Sequence, residues 1–428
     1  MTGTRSGSPE SRRRGSRGRV GRRPRLTFFG SSIVSAYWNG AATYYRGLLR
    51  SLHDRGFEVM FCEPDAFDRQ RHRDLAADLD YVRVVVYRTE EERDRLVEHA
   101  LRKNDWVIKC SGVGVWDMEL ESAIAGVAGP MREVERGGRP WTAFWDVDAP
   151  ATLARLQADP ADPFHRALPL FDCVFTYGGG PPVIEAYRRL GARACMPVYN
   201  GLDPREHGPE YDAAAPPRWD MFFMGNRLPD RETRVDSYFF DVAAACPGHR
   251  FALGGNGWDD RPMPPNVEYL GHVPTARHNE LNGAARLVLN IHRESMVENG
   301  WSPATRMFEA AGAAACQVTD AWVGIEEFFE PDEEILVAST PHDVAEYVRT
   351  VGIERARAIG ASARARALRD HTYASRAEQV GRILRRSSGR SDEPAPGSGN
   401  LAAPGSAAPA RTAGARAGAR GRMGGRTR

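Results

Sequence analysis

Residues 301–312, WSPATRMFEAAG, place Arg306 and Glu309 three positions apart in an alanine-rich helical pattern. Ser302 fits the N-cap and Pro303 the first helical position, with Thr305 beside them. The peptide N–H groups that open such a helix are free to meet an anion. At about 100° per residue, Ser302, Arg306 and Glu309 lie close to one face. Phe308 and Ala311 face elsewhere and allow close packing on a sheet. Two readings stay open: a local Arg–Glu pair contributing about 0.2–0.5 kcal/mol, or two groups that reach together for a ligand. In the second, the carboxylate of Glu309 accepts hydrogen bonds from ribose hydroxyls.

Other stretches also hold capable side chains. FMGNRLPDR (223–231) joins Gly225, which lets the backbone approach a ligand, to Asn226, Arg227 and Arg231. Planar guanidinium forks bind phosphate oxygens bidentately; the alternative is a proline-broken loop with solvated arginines. ALGGNGWDD (252–260) gives close backbone access at Gly255, or is a plain tight turn. FWDVDAP (144–150) ends in Asp146 and Asp148, which are expected to face a cleft and to act as general base or hold a hydroxyl. Asp148 before Ala-Pro equally fits a helix N-cap. The Asp-x-Asp spacing is no metal signature here, because DLD at 78–80 repeats it. His292 in LNIHR and His272 in LGHV either line the same cleft or are satisfied structural histidines. The eleven histidines form no H-x-x-x-H or H-E-x-x-H pattern, so no metal site is indicated. G-x-S-x-G and G-x-x-x-x-G-K-[ST] are absent, and neither 252–260 nor GVG at 112–114 matches G-x-G-x-x-G. Nucleophile-elbow hydrolases, P-loop NTPases and NAD-dependent oxidoreductases are thereby disfavoured.

The elements that position these groups alternate. RLTFFG, FEVMFCE, VRVVVY, DWVIKCSG, PWTAFWDVD, DCVFTYGGG and RACMPVYNG read as strands, separated by helical patterns such as EEERDRLVEHALRKN and PPVIEAYRRLG. A second series follows a polar, proline-rich linker at 202–220: WDMFFMG, helix 232–245, RFALGG, VEYLGHV, helix 275–284, RLVLNIHR, helix 303–314, CQVTD, helix 323–329, EILVA and three helical segments. Strands buried on both faces and alternating with helices predict an α/β fold of two tandem Rossmann-like, doubly wound domains facing a cleft. Residues 26–205 form the first and 206–386 the second, flanked by basic tails at 1–25 and 387–428. Every candidate stretch falls just after a strand, where such sheets bind ligands.

Composition agrees. The 428 residues, 42% of them apolar, suit two substantial cores. The net charge of +2 hides +8 in residues 1–25 and +5 in residues 387–428, leaving a body of about −11. An acidic body disfavours a nucleic-acid-binding face, and the low-complexity tails read as disordered. No run of about 20 apolar residues exists to span a membrane, and the N-terminus lacks the apolar region of a secretory signal. Six scattered cysteines without a C-x-x-C pair point to a reducing cytoplasm.

Taken in order, FMGNRLPDR, NVEYLGHVPTARHNELNGAARLVLNIHR, GWSPATRMFEAAGAAACQVTDAW, EEFFEPDEEILVA and HTYASRAEQV resemble the donor domain of GT-B glycosyltransferases, and in detail the CgeB-like (spore maturation protein) group. VYNGLDPREHGP (198–209) is similar to the linker of group-one members. The resemblance implies metal-independent transfer of a sugar, hexosyl in type, from a nucleotide-diphosphate sugar bound on the second domain. The acceptor, a glycan, small molecule or protein, sits on the first, and no cofactor is needed. It implies that Arg227 or Arg231 binds the diphosphate and that Glu309, the second of two glutamates eight residues apart, holds the ribose. Gly225, Asn226, Gly255, His292, Ser302, Pro303, Thr305 and Arg306 complete the donor side. The first glutamate of the pair is replaced here by Trp301. A non-catalytic nucleotide- or sugar-binding protein and a nucleotide-sugar epimerase share the same two-domain cleft and are the alternatives.

Overall fold

The computed structural model describes residues 22–37, 39–75, 79–112, 114–127, 140–210 and 215–388. The basic tails expected to be disordered lie outside these residues, apart from their inner ends.

Thirteen strands among them form two sheets. The first contains β1 (Arg25–Phe29), β2 (Glu58–Pro64), β3 (Arg83–Tyr87), β4 (Trp106–Cys110), β5 (Trp141–Asp146), β6 (Cys173–Thr176) and β7 (Cys195–Pro197) in the order β3-β2-β1-β4-β5-β6-β7. The second contains β8 (Trp219–Met224), β9 (Phe251–Gly254), β10 (Val267–Tyr269), β11 (Ala285–Asn290), β12 (Gln317–Asp320) and β13 (Leu336–Ala338) in the order β10-β9-β8-β11-β12-β13. All pairings between named strands are parallel. The near-continuous apolar runs of the sequence follow from burial on both faces. Leu26 and Phe28 of β1 enter one core with Trp106 and Ile108, while Phe29 enters the opposite core with Val107 and Phe144. In the second domain Met221 and Phe223 face one layer, and Trp219 and Phe222 the other. Each sheet reverses its winding once, between β1 and β4 and between β8 and β11. The crevices beyond those strand ends are where a doubly wound sheet holds its ligand.

Three expectations change. The helix placed at 303–314 runs Thr305–Gly312 with Ala304 as N-cap. Asn200 Nδ2 donates to the Pro303 carbonyl at 3.1 Å, and Ser302 Oγ turns back to the Gly300 carbonyl at 2.8 Å, so Ser302 closes a turn instead of capping the helix. The helix expected at 323–329 is a single 3-10 turn, Ile325–Glu327, after Gly324 at φ 94°. The third concerns the last helix, Tyr373–Ser388, which the sequence boundaries assign to the second domain through 386. Its stripe of Tyr373, Ala377, Val380 and Leu384 completes the first domain's core beside Leu48 and Leu52. Gly47 permits this approach, because a Cβ there would lie 2.1 Å from the Tyr373 ring.

The chain therefore crosses between domains twice, and the crossings are tied together. Leu202 N donates to the His371 carbonyl at 2.7 Å and Tyr373 N to the Leu202 carbonyl at 3.0 Å. Two crossings held side by side by backbone hydrogen bonds are the geometry of a hinge.

Candidate active site

The end of β8 begins the site. Gly225 follows Met224, and a Cβ on it would meet Arg231 Nη2 at 2.8 Å, Arg306 Nη1 at 3.0 Å and the Phe223 ring at 3.0 Å. The missing side chain leaves the space that the two guanidiniums occupy beside its backbone. Arg306 Nη1 donates to the Met224 carbonyl at 3.1 Å, and Arg231 Nη2 donates to the Asn226 carbonyl. Neither arginine forms an ion pair with a carboxylate among the described residues. Arg231 is 4% exposed, and its Nε finds no hydrogen-bond partner among them. Burial first, and then Arg306 alongside, push Arg231 down to about 9. Burial also lowers Arg306, against the pull of Glu309 and Asp320. Two like charges side by side, Arg231 buried and Arg306 half-buried, form a site short of an anion.

Helix Thr305–Gly312 aims its N-terminus at the same crevice, between the ends of β11 and β12. Thr305 Oγ1 donates to Asn200 Oδ1 at 3.0 Å, and the Pro303 carbonyl receives the Asn200 amide, so a hinge residue grips the helix start. One turn further in, Glu309 is 7% exposed. His278 Nδ1 lies 3.4 Å from its Oε2 and His207 Nε2 3.9 Å from its Oε1. Burial alone would raise this carboxyl. The His278 imidazole beside it, then His207 and Arg306, outweigh burial and hold it at about 2. The local Arg306–Glu309 ion pair left open by the sequence does not form: the carboxylate turns to the histidines and the guanidinium to Gly225.

The remaining second-domain residues divide by role. Arg227 lies on the rim, its guanidinium held by Glu232 (2.8 Å from Nε) and Asp260 (2.7 Å from Nη1), so it is Arg231 that stands against Gly225. Asn226 Oδ1 accepts from Asn256 N at 3.0 Å and spans the turns after β8 and β9. Gly255 serves the same packing: at φ 127° a Cβ would sit 2.3 Å from the Gly225 carbonyl oxygen. His292 ends β11 at 2% exposure, its Nδ1 2.7 Å from Asp320 Oδ1, with Trp322 edge-on to its ring. Asp320 is fully buried and also accepts from Arg234 at 2.8 Å. Burial would raise its carboxyl, but His292 and Arg234 bring it below the usual range.

On the first domain, Asp146 does not face the cleft. It is fully buried and accepts from Ser111 Oγ (2.7 Å), Asp148 N (3.0 Å), Thr152 Oγ1 (3.1 Å) and Tyr187 Oη. Burial pushes its carboxyl up, and these donors partly offset that. It braces the loop after β5, which removes it from proton transfer to a substrate. Asp146→Ala leaves these donors buried without an acceptor, so a loss of about 3 kcal/mol or more is expected in urea unfolding; an unchanged midpoint would contradict the bracing role. Asp148 does face the cleft. It caps helix Ala149–Ala158 through Ala151 N at 3.4 Å, and its Oδ2 meets Arg293 Nη1 of the second domain at 3.2 Å. Arg293 also pairs with Asp230, making a three-residue bridge across the cleft mouth. Asn200, His207, His278 and Arg293 fall inside stretches that carry the family resemblance, VYNGLDPREHGP and NVEYLGHVPTARHNELNGAARLVLNIHR, but none was given a role of its own from sequence.

A hollow of about 240 Å³ opens at the opposite, amino-terminal end of the second sheet, lined in part by Arg218, Arg286 and Arg357. These arginines donate to Glu268, to Asp220 and to the Ala215 carbonyl, respectively. Two of these three arginines are already neutralised by carboxylates, whereas neither Arg231 nor Arg306 is paired with a described one, so the charge argument favours the crevice at Gly225. Among the described residues no three His, Cys, Asp or Glu side chains converge as a metal-binding group, and no helix is long and apolar enough to cross a membrane.

Known proteins share this architecture. No curated protein matches the sequence. Residues 231–381 match the family described as glycosyl transferase-like. Among solved structures, sucrose-phosphate synthase from Thermosynechococcus elongatus superposes with a TM-score of 0.60 at 16% identity, covering 85% of this chain and 99% of that one. Anabaena HepE in complex with UDP and glucose gives 0.58 at 14% identity, over 84% and 99% of the two chains. Trehalose-6-phosphate synthase OtsA gives 0.59 at 11% identity, again over 84% and 99%. The protein has the two-domain GT-B fold of these glycosyltransferases, and its second half carries a glycosyl transferase-like domain.

Proposed function

We propose that this protein transfers a sugar, hexosyl in type, from a nucleotide-diphosphate sugar to an acceptor on its first domain, as a cytoplasmic, CgeB-like glycosyltransferase without cofactor or metal ion. The observation that carries the reading is the pair of guanidiniums beside Gly225, Arg231 buried and Arg306 half-buried, unpaired with any described carboxylate. A diphosphate supplies the missing negative charge. Glu309, ionised and one helical turn away, takes the ribose hydroxyls. HepE, of the same fold, was solved with UDP and glucose, which supports a nucleotide-sugar donor. As the glycosidic bond breaks, charge builds on the departing diphosphate. Preorganised arginines and helix-terminus N–H groups stabilise it where it forms, so the reading calls for no metal ion. Hinged closure excludes the water that would otherwise hydrolyse the donor.

A panel of UDP-, GDP- and dTDP-sugars tests this by thermal shift and donor hydrolysis. One of them is expected to stabilise the protein and be slowly cleaved; neither effect with any donor sinks the proposal. Binding without turnover would replace it by a non-catalytic binding protein, and an isomerised donor by an epimerase. The affinity has a defined pH dependence. Burial and the neighbouring Arg306 bring the Arg231 guanidinium down to about 9, which leaves it protonated at neutrality. Titration calorimetry with the nucleoside diphosphate that binds is expected to show affinity constant from pH 7 to 8 and falling as pH rises through 9.

A further inference from the structure

We infer that Trp301 is a positioning residue of the domain interface: its indole is a wedge that sets the separation of the two domains and holds the start of the donor helix. The proposal rests on the glycosyltransferase reading only for its kinetic consequence.

Both domains shape themselves around this side chain. Gly180, in the first domain's turn after β6, has φ 44°, and a Cβ there would lie 2.4 Å from the indole Cγ. Gly324, in the second domain, has φ 94°, and its Cβ would lie 2.4 Å from the indole Nε1. The ring is thus held between two backbone surfaces, one from each domain. Its Nε1 donates to Glu327 Oε1 at 2.6 Å, which fixes its rotation. The backbone of the same residue joins the domains as well. The Trp301 carbonyl accepts from Gly179 N of the first domain at 2.8 Å, and Trp301 N donates to the Val323 carbonyl of the second at 2.8 Å. Trp301 itself sits at φ 42°, a left-handed conformation that a bulky residue adopts only where its surroundings impose it.

The next residues along the chain are the turn of Ser302, then Pro303 and Thr305, both gripped by Asn200 at the hinge. Position 301 therefore joins the β6 turn contact to the start of the donor helix, three residues before that helix's N-cap, Ala304. Helix Glu294–Asn299, just before it, packs against helices Ala149–Ala158 and Gly180–Arg189 of the first domain and Pro229–Val235 of the second. Removing the indole leaves Arg231, Arg306 and Glu309 in place and removes the stop between the sheets.

The test uses the full-length protein with Trp301→Ala, Trp301→Phe and the pair Gly180→Ala and Gly180→Ala/Trp301→Ala. Small-angle scattering measures the domain separation, calorimetry the affinity for UDP and UDP-glucose (or the GDP or dTDP pair, if the panel selects it), and donor hydrolysis the kcat and KM. Trp301→Ala is expected to reduce the radius of gyration and lower kcat at least tenfold, with KM and both dissociation constants within threefold of the parent. Trp301→Phe, which keeps a ring between the glycines, retains a third or more of kcat. Gly180→Ala alone enlarges the radius, and its effect is not additive with Trp301→Ala, which vacates the space the methyl needs. An unchanged radius with Trp301→Ala overturns the wedge, as does a tenfold loss of UDP-glucose affinity at unchanged radius, which would make Trp301 a sugar contact. If no donor binds the parent, the functional reading fails while the scattering result still decides the wedge. If Trp301→Ala does not fold, Trp301→Phe and Gly180→Ala carry the same comparison.

Discussion

Arg231→Met is expected to make the free protein more stable and to weaken nucleoside diphosphate binding by 10- to 100-fold. The two effects have one origin. A guanidinium pushed from its ordinary value down to about 9 by burial and by Arg306 is bound to its proton less tightly in the folded chain than in the unfolded one. Between pH 9 and the unfolded value near 12.5 the unfolded chain holds more protons, so stability rises with pH there. Below pH 9 the full penalty of the buried charge is present. Methionine fills a similar volume without the charge, and a gain of about 0.5–2 kcal/mol is expected, or roughly 2–4 °C per kcal/mol in melting temperature for a domain of this size. Charge-assisted hydrogen bonds contribute about 1.5–3 kcal/mol each, which sets the loss of affinity. Urea unfolding and calorimetry on the same variant decide the matter. A variant that is less stable and binds as before would show that Arg231 braces the fold and holds no ligand.

Glu309→Gln separates the two ends of the donor. It is expected to weaken nucleoside diphosphate binding at least tenfold while leaving the affinity for inorganic pyrophosphate within twofold, because the amide cannot match a carboxylate as acceptor for two ribose hydroxyls. Its stability effect has the opposite sign to that of Arg231. The carboxyl is held at about 2 by His278, His207 and Arg306 against the effect of burial. A carboxyl depressed from an unfolded value near 4.3 contributes stability above that pH and loses it as pH falls toward 2. The gap between parent and variant is therefore largest at neutral pH, on the order of 3 kcal/mol, and narrows on acidification below about pH 4. Equal losses of nucleotide and pyrophosphate binding would show that Glu309 only orders the arginines.

Much of the frame was legible in the residues. RLTFFG, WVIKC and WDMFFM are apolar at consecutive positions, which only a strand covered on both faces can bury, and they are β1, β4 and β8. Doubly wound sheets hold ligands beyond those strand ends, so the arginines and glutamate of the second domain were read as candidates from spacing and strand-end placement. Errors came where tertiary partners compete with local signals. Ser302 has the composition of an N-cap, but Asn200, about a hundred residues earlier, holds the Pro303 carbonyl and shifts the helix start to Thr305. Asp146 and Asp148 look equivalent in FWDVDAP, yet Asp146 is the last residue of β5 while Asp148 lies past the strand, at the cap of helix Ala149–Ala158. One is buried under Ser111, Thr152 and Tyr187, and the other meets Arg293 across the cleft.

The sequence by itself determined the two doubly wound domains, because burial on both faces is written into runs of neighbouring residues and needs no distant partner. It also determined which loops stand at the ligand end. The tertiary structure alone decided which charges there are free. Arg227 and Arg231 are four residues apart, one in the loop after β8 and one in helix Pro229–Val235, but Glu232 and Asp260 neutralise the first while the second is buried beside Arg306 with no described carboxylate to meet it. It alone decided that Glu309 faces two histidines from outside its own helix, and that the indole of Trp301 lies between two glycines from different domains. Electrostatic balance and close packing depend on distances across the fold, and those distances exist only once the two sheets have closed on one another.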